Sequence, residues 1–214
     1  MLLSWLTNQQ TSHQQQLIES FKRSHSKMNS PFSNSKYITT NNRLKNILRN
    51  CALCNKLTLN GSLIIPCSKL PGVRLPQIKQ KKYFLIINIP NQSNDNDYLG
   101  HNYLGHWLGC CVNVQTRQCL LVDSANLIAS QTGPMNYILS FCTSNHLTLV
   151  NFNLMFQEKD NVLCGQNQLY ICSVFSKRSL RQTYNLRYML QKYTLQQIAY
   201  YIIKQVEHHF HVQF

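Results

Sequence analysis

Residues 106–123, HWLGCCVNVQTRQCLLVD, decide the fold of this chain. Two apolar runs, at 108–112 and 119–122, flank a polar turn segment, which is the pattern of two short strands joined as a hairpin. In a hairpin the start of one strand lies beside the end of the next. The pattern therefore predicts that His106 and Asp123 lie side by side, although seventeen residues separate them.

Asp123 is placed unlike the other acidic residues of the chain. The sequence has only seven Asp and Glu residues, and the other six lie in polar or terminal stretches. A carboxylate at the end of a buried strand is partly desolvated, so it needs a cationic or hydrogen-bonding partner. We expect that partner to be His106 rather than His101, which has the same preceding residues but no apolar strand after it.

A cysteine with the features of a nucleophile lies further along the chain. Cys164 and Gly165 follow a polar loop that begins at Gln157, and they precede an apolar stretch at 169–175 that is long enough for a buried helix. The positive end of a helix dipole and an adjacent imidazolium both favour a thiolate, the nucleophilic form of cysteine. Gly165 allows a substrate backbone to approach closely. The Gln157 side chain could donate a hydrogen bond to an oxyanion, beside the backbone N–H of Cys164.

The order and spacing of these residues resemble those of the adenovirus-type maturation protease, adenain. Its clan of cysteine proteases also contains the SUMO-specific proteases. The His106-Trp107 pair, the seventeen-residue step to Asp123, and the seven-residue step from Gln157 to Cys164 all match adenain. The SUMO proteases usually place the glutamine one residue closer to the cysteine.

The resemblance covers residues from about 41 to 175 and implies a role for each member of the set. It implies that His106 is the general base, Asp123 its orienting group, Cys164 the nucleophile and Gln157 an oxyanion donor. Adenain usually has Glu at the orienting position, whereas Asp stands there in this chain, as in many clan members. A second departure is Gln166-Asn-Gln168, where the family has apolar residues, and buried amides at these positions would need partners.

The resemblance also implies a function. It is that of a viral cysteine endopeptidase that cleaves capsid and core precursor proteins at small-residue, Gly-containing sites during virion maturation. The family needs no cofactor for its chemistry, but DNA and a short cationic peptide stimulate it. That peptide attaches through a cysteine upstream of the glutamine; Cys142 is the nearest candidate, but its spacing does not match, so no peptide site is assigned. The expected location is the virion and the host cell interior, with the nucleus implied by resemblance.

Two other functions stay open at this point. A protease of the same clan that removes ubiquitin-like modifiers would also favour Gly-Gly sites. A basic nucleic-acid-binding core protein with an inert triad would keep the same residues without reacting.

The positive charge of the chain is large and uneven. The formal net charge is +14, and the stretches 20–94 and 161–206 contain no acidic residue. A surface of this kind attracts polyanions through salt-sensitive contacts with phosphates. Because no recognition-helix or zinc-finger pattern appears, we expect nucleic acid to be bound through its backbone without base reading. The candidate contacts are Lys22, Arg23, Lys79, Lys81, Lys82, Lys177, Arg178 and Arg181.

The cysteines do not form a disulfide pattern. Their number is nine, which is odd, and several lie within apolar runs, so we expect reduced thiols in an intracellular protein. Cys51 and Cys54 form a single C-x-x-C with no second pair at metal spacing. No metal site is predicted, although a histidine or Cys67 could complete an irregular one.

The chain is long enough for one domain with a real core, since 43% of its 214 residues are hydrophobic. Residues 1–40, rich in Gln, Ser and Asn, are predicted to be a polar, mobile N-terminal arm, and residues 41–214 the adenain-like domain. The first apolar run is too short for a secretion signal, and we expect neither secretion nor a membrane span.

The periodicity after residue 40 predicts an α+β fold with a mostly antiparallel central sheet and flanking helices. The predicted helices are at 43–50, 134–142, from 164 onward, 184–192 and 194–208, and the predicted strands at 57–65, 83–89, 107–113, 118–123 and 147–154.

Overall fold

The central feature of the structure is a five-stranded sheet covered by helices. A computed structural model describes residues 40–59, 64–76, 81–89, 105–128, 131–158 and 162–214. All but the last residue of the predicted arm, and His101, therefore lie outside the described residues. The strands, in their order across the sheet, are β1 (Ile64–Pro66), β2 (Lys82–Ile89), β3 (His106–Asn113), β4 (Gln118–Val122) and β5 (Thr148–Asn151).

Helices account for most of the remaining described chain. They are α1 (Asn41–Asn50), α2 (Ala52–Asn55), α3 (Thr132–Ser144), α4 (Cys164–Lys177), α5 (Leu180–Tyr184), α6 (Leu186–Leu190) and α7 (Leu195–Phe210). A short 3-10 helix, Cys67–Gly72, follows β1. None of the helices in the described ranges is long and apolar enough to cross a bilayer.

The predicted hairpin forms the middle of the sheet. Strand β3 pairs antiparallel with β4, in a register that places Gly109 opposite Val122, and antiparallel with β2 on its other side. All six inner residues of β3 are buried, as its apolar run predicts. Beyond the last pair the two strands separate, and His106 and Asp123 lie where they separate.

The sheet is mixed, so the expectation of a mostly antiparallel sheet is wrong. Both outer pairs are parallel: β1 with β2, and β4 with β5. A hairpin needs a short connection, whereas a long crossover returns the chain to its starting side and yields a parallel neighbour. Helix α3 is that crossover between β4 and β5, and the 3-10 helix lies on the crossover between β1 and β2.

Three predicted elements differ in extent from the observed ones. Of the strand predicted at 57–65, residues 64 and 65 lie in β1 and residues 60–63 lie outside the described ranges. Leu57 and Thr58 instead continue the turn after α2 through backbone hydrogen bonds to Cys54 and Asn55. The helix predicted at 184–192 is replaced by the two short helices α5 and α6, and the strand at 147–154 is reduced to β5.

The two faces of the sheet bury separate cores. Helices α1, α4 and α7 cover one face, and the 3-10 helix and α3 cover the other. Side chains of a strand alternate between faces, so each central strand contributes to both cores. Helix α4 is the most enclosed of the described helices, with ten of its fourteen residues buried. The candidate nucleophile, Cys164, is therefore the first residue of a core helix.

Candidate active site

The structure brings His106 and Asp123 into direct contact. The Nε2 atom of His106 lies 2.7 Å from Oδ1 of Asp123, and the side chains are 16% and 5% exposed. The carboxylate also accepts hydrogen bonds from the backbone N–H groups of Ala125, at 3.1 Å, and Ile128, at 2.7 Å. Both carboxylate oxygens are thus held by the loop after β4, and the carboxylate in turn orients the imidazole.

Cys164, at the start of helix α4, is the third member of the group that His106 and Asp123 form. The positive end of the helix dipole attracts an anion there, and the Cys164 thiol is near enough to His106 to help raise the pKa of that imidazole. Because Nε2 of His106 bonds to Asp123, Nδ1 is the ring nitrogen that remains available to exchange a proton with Cys164. All nine cysteines of the chain are described and all are free thiols, and only Cys51 and Cys164 are not buried. The structure therefore makes Cys164 one of two accessible thiols, and the one beside an imidazole.

The environment shifts the pKa of both members of the histidine pair. Burial acts to lower the pKa of His106, but its interactions with Asp123 and Cys164 outweigh that effect and raise the pKa from 6.5 to about 9. Burial acts to raise the pKa of Asp123, but the hydrogen bond and charge of His106, with the two backbone N–H groups, hold it below its ordinary value. Near neutral pH the pair is therefore an imidazolium and a carboxylate.

Gln157 is buried and held by its carbonyl oxygen. Oε1 accepts hydrogen bonds from Ser124 Oγ, at 2.6 Å, and from Asn167 Nδ2, at 2.9 Å. The backbone N–H of Gln157 also bonds to the Ser124 carbonyl, at 3.0 Å. With the acceptor end of the amide fixed in this way, its Nε2 end is the one that can donate to an anionic oxygen.

The three amides after the nucleophile are buried in the core, as Gln166, Asn167 and Gln168 are each at most 1% exposed. Two of them have roles that the sequence interpretation missed. Asn167 anchors Gln157, and Gln168 Nε2 donates to the carbonyls of Trp107, at 3.2 Å, and of Val122, at 3.5 Å. Three consecutive amides in an apolar helix were the signal, because buried amides require partners.

Gln168 lies against Gly109 of β3. A Cβ added at Gly109 would overlap Gln168 Oε1 and stand 3.1 Å from Phe84 Cζ. Only glycine fits at position 109 while Gln168 keeps its hydrogen bonds to the carbonyls of β3 and β4. Since Trp107 follows His106 and Val122 precedes Asp123, this contact connects α4 to the backbone beside both His106 and Asp123.

The structure brings two basic segments of the predicted nucleic-acid surface together. Lys82 Nζ donates to the carbonyls of Phe175 and Arg178, at 3.3 and 2.8 Å, so its charge serves the C-terminal end of α4. The start of β2 is thereby joined to the end of α4. Exposed or partly exposed cations at this junction are Lys81, Lys177, Arg178 and Arg181. The other candidates, Lys22, Arg23 and Lys79, lie outside the described residues.

A cluster of possible metal ligands lies apart from Cys164. The ligand atoms of Cys51, Cys54 and His209 all lie within 4.8 Å of one another. Burial and nearby cations, first among them Lys177, lower the pKa of His209, which keeps its imidazole neutral at pH 7. Cys67 lies elsewhere and bonds to the Pro134 carbonyl at 3.8 Å. His209 is 158 residues from Cys51, a separation at which no sequence spacing signals a shared site.

No protein-family model and no curated protein matches this sequence. Among solved structures, the chain is similar to a SUMO protease Ulp1 with the catalytic cysteine oxidized to a sulfinic acid. The sequence identity is 13%, the match covers 89% of this chain and 95% of that chain, and the TM-score is 0.33. We therefore base the function on the geometry of the site.

Proposed function

We propose that this chain is a cysteine endopeptidase in which Cys164 is the nucleophile and His106 the general base. Asp123 orients the imidazole and Gln157 donates to the oxyanion. The observation that carries the proposal is the 2.7 Å hydrogen bond between His106 and Asp123, with Cys164 beside the same imidazole as the first residue of a buried helix. A thiolate, a base, a group that orients the base and an oxyanion donor are the parts that acyl transfer requires.

Each part has one step in the proposed reaction. The Cys164 thiolate attacks the carbonyl carbon of the scissile amide, and the negative charge moves to the carbonyl oxygen. Gln157 Nε2 and the backbone N–H of Cys164 stabilise that oxyanion. The His106 imidazolium gives its proton to the leaving amine as the carbon–nitrogen bond breaks, which leaves a thioester. Neutral His106 then takes a proton from water, whose oxygen displaces the thiolate and releases the carboxylic acid.

The first test is cleavage of Gly-Gly and Gly-x-Gly peptides, read by mass, by the wild type and the Cys164→Ala variant. We expect cutting by the wild type alone. Cys67→Ser is the matched control, because Cys67 is a buried thiol away from His106, and it should cut as the wild type does. Equal cutting by the wild type and Cys164→Ala would exclude Cys164 as the nucleophile.

A second readout is the relative reactivity of the two accessible thiols. A thiol-directed reagent should modify Cys164 faster than Cys51, because only Cys164 lies beside an imidazolium at a helix N-terminus. The modified residue is identified by peptide mapping. Faster modification of Cys51 would contradict the proposal even if no cleaved peptide has been found.

For the substrate we propose capsid and core precursor proteins of a virus, cut at Gly-containing sites in the virion and the host cell interior, as the resemblance to adenain implies. Isopeptide-linked conjugates of ubiquitin-like modifiers form the comparison arm of the same assay. Cleavage of conjugates without cleavage of linear peptides would replace the proposed substrate class. No cleavage of either, with an unreactive Cys164 and bound DNA, would indicate the inert nucleic-acid-binding protein.

We also propose that DNA stimulates cleavage through the basic junction of β2 and α4. The support is the excess of cations there, which should bind phosphates in a salt-sensitive way. Added DNA should raise the cleavage rate at low salt, and the Lys81→Gln/Arg181→Gln variant should lose most of that gain. Lys69→Gln is the control, because Lys69 is an exposed cation of the 3-10 helix, on the other face of the sheet. A rate that is indifferent to DNA at low salt would refute this part.

A further inference from the structure

The Cys51, Cys54 and His209 cluster has the dimensions of a zinc site. The Sγ atoms of Cys51 and Cys54 lie 3.6 and 3.9 Å from His209 Nε2. A tetrahedral zinc ion with a Zn–S distance near 2.3 Å and a Zn–N distance near 2.05 Å separates sulfur from nitrogen by about 3.6 Å. Both sulfur–nitrogen distances are therefore already close to those of that tetrahedron, and the two sulfur atoms lie within 4.8 Å of each other.

A fourth thiol adjoins the cluster from the core. Cys172 of α4 is 1% exposed and neighbours Cys54. It is not among the residues whose ligand atoms all lie within 4.8 Å of one another, so its side chain would turn to reach a shared ion. Structural zinc sites of the Cys₃His type use three thiolates and one imidazole. We propose that Cys51, Cys54, Cys172 and His209 bind a structural zinc ion. This inference is independent of the peptidase proposal, because it uses none of the residues of that site.

The charges around the cluster suit this ligand set. A zinc ion with three thiolates and a neutral imidazole carries a net charge of about −1, so a nearby cation is favourable. Lys177 is near enough to supply it after a side-chain movement, since its Nζ now lies 3.3 Å from His209 Nδ1. When Nε2 binds the metal, Nδ1 carries the imidazole proton, and the exposed Lys177 side chain turns from Nδ1 toward the thiolates.

The position of the cluster indicates a structural role rather than a catalytic one. Cys51 lies between α1 and α2, Cys172 in the middle of α4, and His209 in the last turn of α7. One ion would thus join the first described helices and the last helix to the helix that begins with Cys164. Eight residues of helix, at 1.5 Å each, put Cys172 about 12 Å from Cys164, too far for the metal to take part in proton transfer.

The test is a titration of the metal-free, reduced protein with Zn²⁺ and Co²⁺. The titration uses the Cys164→Ala variant, so that Cys164 and His106 cannot bind the ion together. We expect one ion per chain, a Co²⁺ spectrum with the strong bands of tetrahedral coordination and of thiolate-to-cobalt charge transfer, and a higher unfolding temperature with Zn²⁺. Cys51→Ser and His209→Gln alter partly exposed positions, and each should weaken binding by at least about 100-fold.

Two controls match these variants. His208→Gln changes the exposed neighbouring histidine and Cys67→Ser changes a buried cysteine elsewhere, and both should bind Zn²⁺ as the parent does. Cys172→Ala should lower the charge-transfer intensity by about a third if Cys172 is one of three thiolate ligands. An unchanged spectrum would remove Cys172 from the ligand set.

The proposal is overturned if no ion binds, if binding survives in Cys51→Ser and His209→Gln, or if the Co²⁺ spectrum is weak and octahedral. Loss of two thiols on mild oxidation of a protein that does not bind Zn²⁺ would also overturn it, and would identify a disulfide at this cluster instead.

Discussion

The contact between Gly109 and Gln168 leads to a sharp prediction about stability. Gly109→Ala should lower the free energy of unfolding by on the order of 2–6 kcal/mol. Overpacking of a core costs about 1–3 kcal/mol. Gln168 is fully buried and cannot swing into solvent, so it can yield only by leaving the carbonyls of Trp107 and Val122. An abandoned buried carbonyl costs about 1–3 kcal/mol.

The assay is urea unfolding of four proteins: wild type, Gly109→Ala, Gln168→Ala and the double variant. Gln168→Ala alone should also destabilise, because it removes both hydrogen bonds and leaves a cavity. In the double variant the new methyl group enters the space that the amide has left. The double variant should therefore be more stable than the sum of the single effects predicts, by at least about 1 kcal/mol.

A matched control is Gly133→Ala in α3, where nothing lies within 4 Å of an added Cβ. Alanine is the better helix former, so this change should be neutral or stabilising by up to about 1 kcal/mol. The reasoning is refuted if Gly109→Ala unfolds within about 0.5 kcal/mol of the wild type, or if the two substitutions are additive. Gly109→Ala should also lower kcat more than it changes KM, since the disturbed carbonyls flank His106 and Asp123.

Three further predictions concern the active site. Because the folded-state pKa of His106 is raised from 6.5 to about 9, its interactions with Asp123 and Cys164 should together contribute roughly 3 kcal/mol of stability. That contribution is complete below pH 6.5, the ordinary pKa of a histidine in the unfolded chain, and is lost as the pH rises through about 9. The free energy of unfolding in urea should show this loss in the wild type but not in His106→Gln. Gln157→Ala should lower kcat by on the order of 10²–10³. Asn167→Ala should lower kcat by less, because the hydrogen bond from Ser124 to Gln157 remains. Equal losses of kcat in the two variants would show that Asn167 does more than anchor Gln157. Asp123→Asn should lower kcat by on the order of 10²–10⁴ and lower the pKa of His106, followed by NMR titration; an unchanged pKa would contradict the assigned cause.

The features that could be predicted from the sequence are those encoded locally. The hairpin of β3 and β4 follows from two apolar runs and a turn, and it brings His106 beside Asp123 without further information. The start of α4 at Cys164 follows from a polar loop before an apolar run. The parallel pairing of β5 was within reach of the sequence, because a helix predicted between β4 and β5 makes their connection a crossover rather than a hairpin.

The remaining features depend on contacts between distant residues. Gln168 reaches Trp107 across 61 positions, and His209 reaches Cys51 across 158. Periodicity reports only which face of an element is buried, so it cannot say which buried amide meets which carbonyl. The glutamines and asparagine after Cys164 looked like a departure from the family pattern, whereas in the structure two of them hold the site together.

The burial of α4 has a consequence for how long the active arrangement persists. A core helix has no separate, low-energy opening, so its amide hydrogens should exchange with solvent only when the whole domain unfolds. Cys164 would then keep its place beside His106 for as long as the domain stays folded. Any substitution that shortens the lifetime of the native state, however far from the thiol, would shorten the lifetime of this arrangement by the same factor.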